Sequence, residues 1–175
     1  MLADLVLPVP LAARVDGVVL RRATTADLAP LMALLADDPV SASRGDRADP
    51  GDADLYRDAL ARVLADPAND LLVATDTDAA AAVVGTLQLT VIPGMARRGA
   101  SRLQVEAVRV RSDLRSAGIG GAMMRWVAED AAPALGAALV QLTSDAARVD
   151  AHRFYERLGY APSHVGFKLR IPRDA

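Results

Sequence analysis

The chain has no cysteine. That excludes disulfides, a thiol nucleophile and zinc sites built on thiolates, and it fits a reducing, cytoplasmic setting. Aromatics are scarce, with one Trp, three Tyr and two Phe among 175 residues. Alanine, leucine and valine must fill the core, which a chain of this length is large enough to build. No charge of one sign dominates: the net charge is −2, which gives no reason to expect nucleic acid or an anionic membrane as partner. No apolar run approaches ~18 residues, so no transmembrane helix is expected. The apolar lead-in of residues 2–13 is broken by Pro8 and Pro10 and has no lysine or arginine before it, unlike a signal peptide. The histidines, His152 and His164, form no ligand cluster, and no metal is expected.

What is present is a series of short apolar segments. Residues 1–17 read as an extended lead-in to a single domain over 18–175. Val18–Arg22 reads as a strand. Thr24-Thr25-Ala26-Asp27 has capping-box form, with Asp in place of Glu or Gln, and Leu28, Leu31, Met32 and Leu35 then repeat at helical spacing. Residues 39–51, rich in Ser, Gly, Asp, Arg and Pro, read as a long loop. The aspartates of 37–58 fit a solvated surface, with an acidic lid over a cationic amine as the alternative. A second helix is predicted over 52–65, with Leu55, Tyr56, Ala59, Leu60, Val63 and Leu64 on its buried side. Strands follow at 71–75, 81–92 and 102–111. A helix then runs to about Ala132, with Ile119, Met123, Trp126 and Val127 on its apolar face. A strand at 138–143, a short helix at 149–158 stopped by Gly159 and a last strand at 165–171 complete the chain. The order β-α-α-β-β-β-α-β-α-β predicts an α/β architecture: a mixed, mostly antiparallel central sheet with helices on both faces.

The strand over 102–111 changes phase. Leu103 and Val105 are apolar at odd positions, Val108 and Val110 at even ones. Strand side chains alternate with period two, so the change across Glu106-Ala107 implies an inserted residue, a β-bulge. A strand buried on both faces would explain it equally. Glu106 sits at the change, and a carboxylate in an apolar strand is costly unless solvated or paired. Arg109 and Arg102 are its candidate ion-pair partners.

Between this strand and the next helix lies Arg115-Ser116-Ala117-Gly118-Ile119-Gly120-Gly121. A glycine-rich turn at a helix N-terminus exposes main-chain N–H groups where the dipole favours an anion, and Arg115 adds a cation. A pyrophosphate cradle is the physical reading; a plain helix start with close-packed glycines is the alternative. The dinucleotide pattern would need glycine at position 123, which is Met123, and no Gly-Lys-Ser/Thr ends the turn as a P-loop requires.

The order Arg115-x-x-Gly118-x-Gly120 is similar to the acyl-CoA-binding motif of the GNAT superfamily of N-acetyltransferases. The strand Glu106-Ala107-Val108-Arg109-Val110 precedes it, as in that family. Ala151-His152-Arg153-Phe154-Tyr155-Glu156-Arg157-Leu158-Gly159-Tyr160 resembles the family's C-terminal motif A-x-x-F-Y-x-x-x-G-F/Y. The resemblance spans Val18 to about Arg170 and implies a GNAT-like fold with acetyl-CoA as co-substrate. It implies that Arg115, Ser116, Ala117, Gly118, Ile119, Gly120 and Gly121 hold the CoA pyrophosphate and that Val108, Arg109 and Val110 meet the pantetheine arm. It implies Tyr155 as general acid toward the CoA sulfur, against a core aromatic on an amphipathic helix, and Glu106 as general base. The family often has asparagine seven residues before the tyrosine; Arg148 stands there, where it could reach phosphate or substrate. His152 reads as a solvated helix residue near Glu156, and His164 has no assigned role. The expected activity is acetyl transfer to a small-molecule amine, with a non-catalytic acyl-CoA sensor and a protein acetyltransferase as alternatives. A homodimer is compatible with the resemblance.

Overall fold

The computed structural model describes residues 1–169 and 171. The chain divides into a first unit, Met1–Leu142, and a second that begins at Thr143. In the first unit β1 (Val9–Pro10), β2 (Val18–Arg22), β3 (Asn69–Asp76), β4 (Ala82–Ile92), β5 (Arg102–Val110) and β6 (Leu139–Leu142) form one sheet in that spatial order. Neighbours are antiparallel except β5 and β6, which are parallel. A parallel pair needs a crossover. Here it is α5 (Ile119–Trp126), which continues through a π-helical turn (Val127–Ala131) into α6 (Ala132–Ala134). Helices α1 (Leu28–Ala36), α2 (Pro39–Ser43) and α3 (Ala53–Ala65) connect β2 to β3, and a single distorted turn, α4 (Ala96–Gly99), lies between β4 and β5. Among the described residues no helix is long and apolar enough to cross a membrane.

The sheet is covered on both faces, as its strand pattern requires. Val73 packs with Ala23, Leu31 and Leu60, so α1 and α3 lie over one face. Ala74 points the other way and pairs with Gly85. A Cβ added to Gly85 would lie 3.3 Å from Met123 Sδ, so α5 covers the opposite face. Aromatic scarcity has its consequence here: the large, fully buried side chains are leucine, valine, methionine and isoleucine.

The capping box forms. The Thr24 N–H donates to Asp27 Oδ2 at 2.7 Å, and Arg21 clamps the same carboxylate at 2.7 and 2.8 Å. These bonds, Arg21 first, hold the Asp27 carboxyl below the usual carboxylate range. The lead-in buries Leu2, Leu5 and Leu11. Arg22 ties it to the sheet, donating to the carbonyls of Leu2 (2.6 Å) and Leu5 (3.3 Å) and to Asp70 Oδ2 (2.9 Å).

Three sequence expectations need correction. Residues 39–51 are not one loop: Asp38-Pro39 starts α2 and Asp49-Pro50 starts a 3₁₀ turn. Each aspartate accepts a main-chain N–H, from Ser41 at 2.7 Å and Gly51 at 2.8 Å. Asp at the cap with Pro at the first helical position is a helix start as well as loop composition. The buried face of α3 is narrower than predicted, because Leu55 and Leu64 are exposed and Leu60 alone is fully buried. In the second unit, α7 (Val149–Arg157) ends at Leu158, ahead of Gly159 in the left-handed region (φ +87°). The strand predicted over 165–171 is not formed among the described residues, and Val165, Phe167, Leu169 and Ile171 are exposed. Apolar alternation favours extended backbone, but a strand exists only where a neighbour takes up its hydrogen bonds, and no described residue pairs with this segment.

Candidate functional site

The phase change in β5 is a bulge. Gln88 opposes Glu106 and Thr86 opposes Arg109, so Leu87 faces two residues, Ala107 and Val108. Ala107 has φ +51°, left-handed backbone that absorbs the extra residue. Residues three apart lie on opposite faces of a regular strand. Here the insertion brings Glu106 and Arg109 to the same face and turns Val108 and Val110 to the other. Arg109 Nη2 donates to Ser41 Oγ on α2 at 2.6 Å and Nη1 to the Val108 carbonyl at 2.8 Å. Glu106 is exposed and makes no ion pair among the described residues. Its Oε1 accepts from Gln104 Nε2 at 2.8 Å.

The edge of β5 opens at the same point. β6 pairs with Arg102 to Val105 and no further. From Glu106 to Val110 the strand has β4 on one side and, among the described residues, no strand on the other, which leaves main-chain N–H and C=O groups outside those ladders. After β5 a 3₁₀ turn (Ser112–Leu114) leads into the glycine turn, with Ser116 (φ +71°) and Gly118 (φ +83°) both left-handed. Gly118 caps α5. The Ile119 side chain is core, so positions 118–121 offer a ligand chiefly their backbone.

Two braces hold this turn, and neither had a sequence signal. In the lead-in, the Arg14 N–H donates to the Ala117 carbonyl at 2.9 Å. A Cβ on Gly118 would sit 3.1 Å from the Arg14 main-chain nitrogen. At the C-terminus of α1, the Asp37 carboxylate accepts the Ser112 N–H at 2.7 Å, and its carbonyl accepts Arg115 Nη2 at 3.2 Å. Arg115, the candidate phosphate contact, therefore reaches back to the first helix. A pocket of about 270 Å³ beside this brace is lined by Leu34, Asp37, Val83 and Ser112 among others, and includes none of the predicted site residues.

The second unit carries the remaining candidates on α7. Tyr155 packs edge-to-face on Phe154 (5.0 Å between ring centroids) and Tyr160 (5.9 Å). Tyr160 Oη is buried without a hydrogen-bond partner among the described residues, and burial, with the Tyr155 charge second, pushes its phenol up to about 12. Arg148 begins the helix: its carbonyl accepts the His152 N–H at 3.0 Å. His152 is not the solvated residue expected beside Glu156. Its Nε2 lies 2.8 Å from the Asp145 carbonyl, and since a carbonyl only accepts, that nitrogen donates. His164 is exposed, with Nδ1 2.8 Å from Ser163 Oγ. Thus Glu106, Val108, Arg109, Val110 and residues 115–121 follow one another along β5 and into α5, while Arg148 and Tyr155 share α7. Among the described residues no three potential metal ligands converge.

A bulged strand with an open edge, running into a glycine turn and a crossover helix on a six-stranded mixed sheet, defines an acetyltransferase fold. The Acetyltransferase (GNAT) family matches residues 31–160, and the chain belongs to that family, whose members use acetyl-CoA as co-substrate. A 64-residue stretch is 39% identical to the aminoalkylphosphonate N-acetyltransferase of Salmonella typhimurium, spanning 37% of this chain and 41% of that protein. The structure of a transcriptional regulator from Bacillus halodurans superposes with a TM-score of 0.81 at 37% identity, covering 88% of this chain and 99% of the other. A Trypanosoma brucei acetyltransferase shares the fold at 23% identity, TM-score 0.67, over 88% of this chain and 99% of that one.

Proposed function

We propose that the chain is an N-acetyltransferase that moves the acetyl group of acetyl-CoA directly to a primary amine of a small molecule. The observation that carries this reading is the bulge at Ala107, beside the β5 edge that β6 leaves unpaired over Glu106–Val110, immediately before the left-handed turn at Ser116 and Gly118. The free edge offers Val108 and Val110 amide groups to the pantetheine arm. The turn offers main-chain N–H groups, with Arg115, to the pyrophosphate.

In the reaction the amine nitrogen attacks the thioester carbonyl, the C–N bond forms and the C–S bond breaks. Glu106 takes the proton that the amine must lose. Tyr155 supplies a proton to the departing thiolate, a transfer suited to a phenol because the two groups have comparable basicity. Arg148 is a further candidate cation for phosphate or substrate. Identity to the aminoalkylphosphonate enzyme supports a small amine as acceptor. A cysteine-free chain supports a cytoplasmic setting. A second reading, an acyl-CoA-binding module without turnover, is favoured by the similarity to a protein described as a transcriptional regulator.

Thermal melting with acetyl-CoA, and with NAD and ATP as controls, tests the cradle. A ligand at ~100 times its dissociation constant adds about 2.7 kcal/mol. Stabilisation by acetyl-CoA alone is expected; none, or a shift with NAD or ATP instead, refutes the assignment. Thiol release with aminoalkylphosphonates, polyamines, aminoglycosides and peptides then separates enzyme from sensor and small molecule from protein acceptor.

A further inference from the structure

One face of the sheet carries amide and hydroxyl side chains across four strands. Asn69 of β3 opposes Thr90 of β4, Thr90 opposes Gln104 of β5, and Gln104 opposes Gln141 of β6. Directly paired residues share a face, so these four form a row. Gln88 and Glu106, each two positions along its strand from the row, oppose one another on the same face. Within this patch two sets of hydrogen bonds form. Asn69 Oδ1 accepts from Gln88 Nε2 (2.8 Å) and Thr90 Oγ1 (2.6 Å). Gln104 lies between Gln141 and Glu106, and it is only 9% exposed.

The direction of that second chain is set by its acidic end. An ionised carboxylate can only accept, so it takes the nitrogen end of the Gln104 amide. This leaves the Gln104 oxygen to accept from Gln141. Donation therefore runs from Gln141 Nε2 to Gln104 Oε1 (2.6 Å) and from Gln104 Nε2 to Glu106 Oε1 (2.8 Å). A glutamate on an exposed strand position has several rotamers open to it. Here one carboxylate oxygen is tied to a buried amide that is itself held by the next strand. Glu106 Oε2 takes no hydrogen bond from the described residues.

We propose that Gln104 is a positioning residue: it binds one oxygen of Glu106, fixes the side chain's rotamer, and so presents the other oxygen to the acceptor amine. An amide does not exchange protons with a carboxylate at neutral pH, so the chain orients the base and does not relay protons. Gln141 acts one step further back by fixing which end of the Gln104 amide faces Glu106. This inference rests on Glu106 being the general base.

The test uses Gln104→Leu, close in volume but without the donor, and Glu106→Gln, alone and combined, in the full chain. Turnover is read by thiol release from acetyl-CoA with 1-aminoethylphosphonate and the other amines of the panel. Acetyl-CoA affinity and melting temperature are measured in parallel. A positioned base contributes ~10²–10⁴-fold, and loosening it should forfeit about tenfold in kcat. Q104L is expected to lose that tenfold with acetyl-CoA affinity unchanged, and to lose nothing further when added to E106Q. A full additional loss in the E106Q background, or unchanged kcat in Q104L, overturns the positioning role. If E106Q itself leaves kcat unchanged, or no amine is turned over, the base reading has failed. The crystal structure of Q104L then decides the positioning alone: Glu106 in new or multiple rotamers supports it, and an unchanged rotamer overturns it.

Discussion

Replacing Arg22 by leucine should destabilise the fold by about 3 kcal/mol near neutral pH, and by less in acid. Arg22 holds three acceptors: Asp70 Oδ2 at 2.9 Å and the carbonyls of Leu2 and Leu5. Asp70 is 8% exposed. Even with Arg22 in place, burial outweighs the guanidinium and holds the Asp70 carboxyl above the usual carboxylate range. A raised carboxyl adds stability at pH below its unfolded value, and that contribution is lost as pH rises through the folded value. Removing Arg22 takes away the two influences that lower it, so the folded value rises further. The cost of R22L must then be largest well above the carboxylate range and shrink as Asp70 takes a proton. Breaking a buried pair costs ~3–5 kcal/mol. Arg22 is a third exposed, which places this pair at the low end. For a chain of this length ~3 kcal/mol lowers the melting temperature by roughly 6–12 °C. Urea unfolding of wild type and R22L across the acid-to-neutral range is the assay. A loss below ~1 kcal/mol, or one independent of pH, refutes the argument that burial governs Asp70. The double variant R22L/D70L should recover much of the loss, because no charge is then left buried.

The remaining expectations concern the turn, the cap and the chemistry. Gly118→Ala should cost about 1–2 kcal/mol, from left-handed backbone and a 3.1 Å approach to the Arg14 nitrogen; a neutral result in thermal unfolding would mean that the lead-in does not brace the turn. Asp27→Asn removes a carboxyl held low by Arg21 and the Thr24 N–H. Such a group contributes stability above its unfolded value that is lost as pH falls through its folded value. The variant should therefore be less stable than wild type at neutral pH, with the gap closing in acid titrations followed by circular dichroism; a constant gap would contradict this. Tyr155→Phe should lower kcat while leaving acetyl-CoA affinity intact, and equal kcat in the two proteins would remove Tyr155 from the reaction.

Some of this was legible in the sequence because the signals are local. The phase change of Leu103 and Val105 against Val108 and Val110 was legible, since side-chain alternation is a property of the backbone itself; the register against β4 decided for a bulge over a strand buried on both faces. The capping box at Thr24–Asp27 and the stop at Gly159 are likewise set within a few residues. The braces on the glycine turn were not legible. Arg14 and Asp37 lie some 100 and 80 residues from their partners Ala117 and Arg115, and nothing in either neighbourhood marks them. Alternation over Val165, Phe167, Leu169 and Ile171 was as regular as in any strand, yet no described residue pairs with that segment.

By itself, then, the sequence marked most of the helical and extended segments, a change of phase within β5, and the glycines that turn into α5, because those depend on periodicity and backbone freedom within a few residues. Only the tertiary structure decided that Glu106 and Arg109 share a face, that β6 stops at Val105 and frees the edge, and that Gln141 and Gln104 reach Glu106. These depend on register between strands distant in the chain, which residue type alone does not encode.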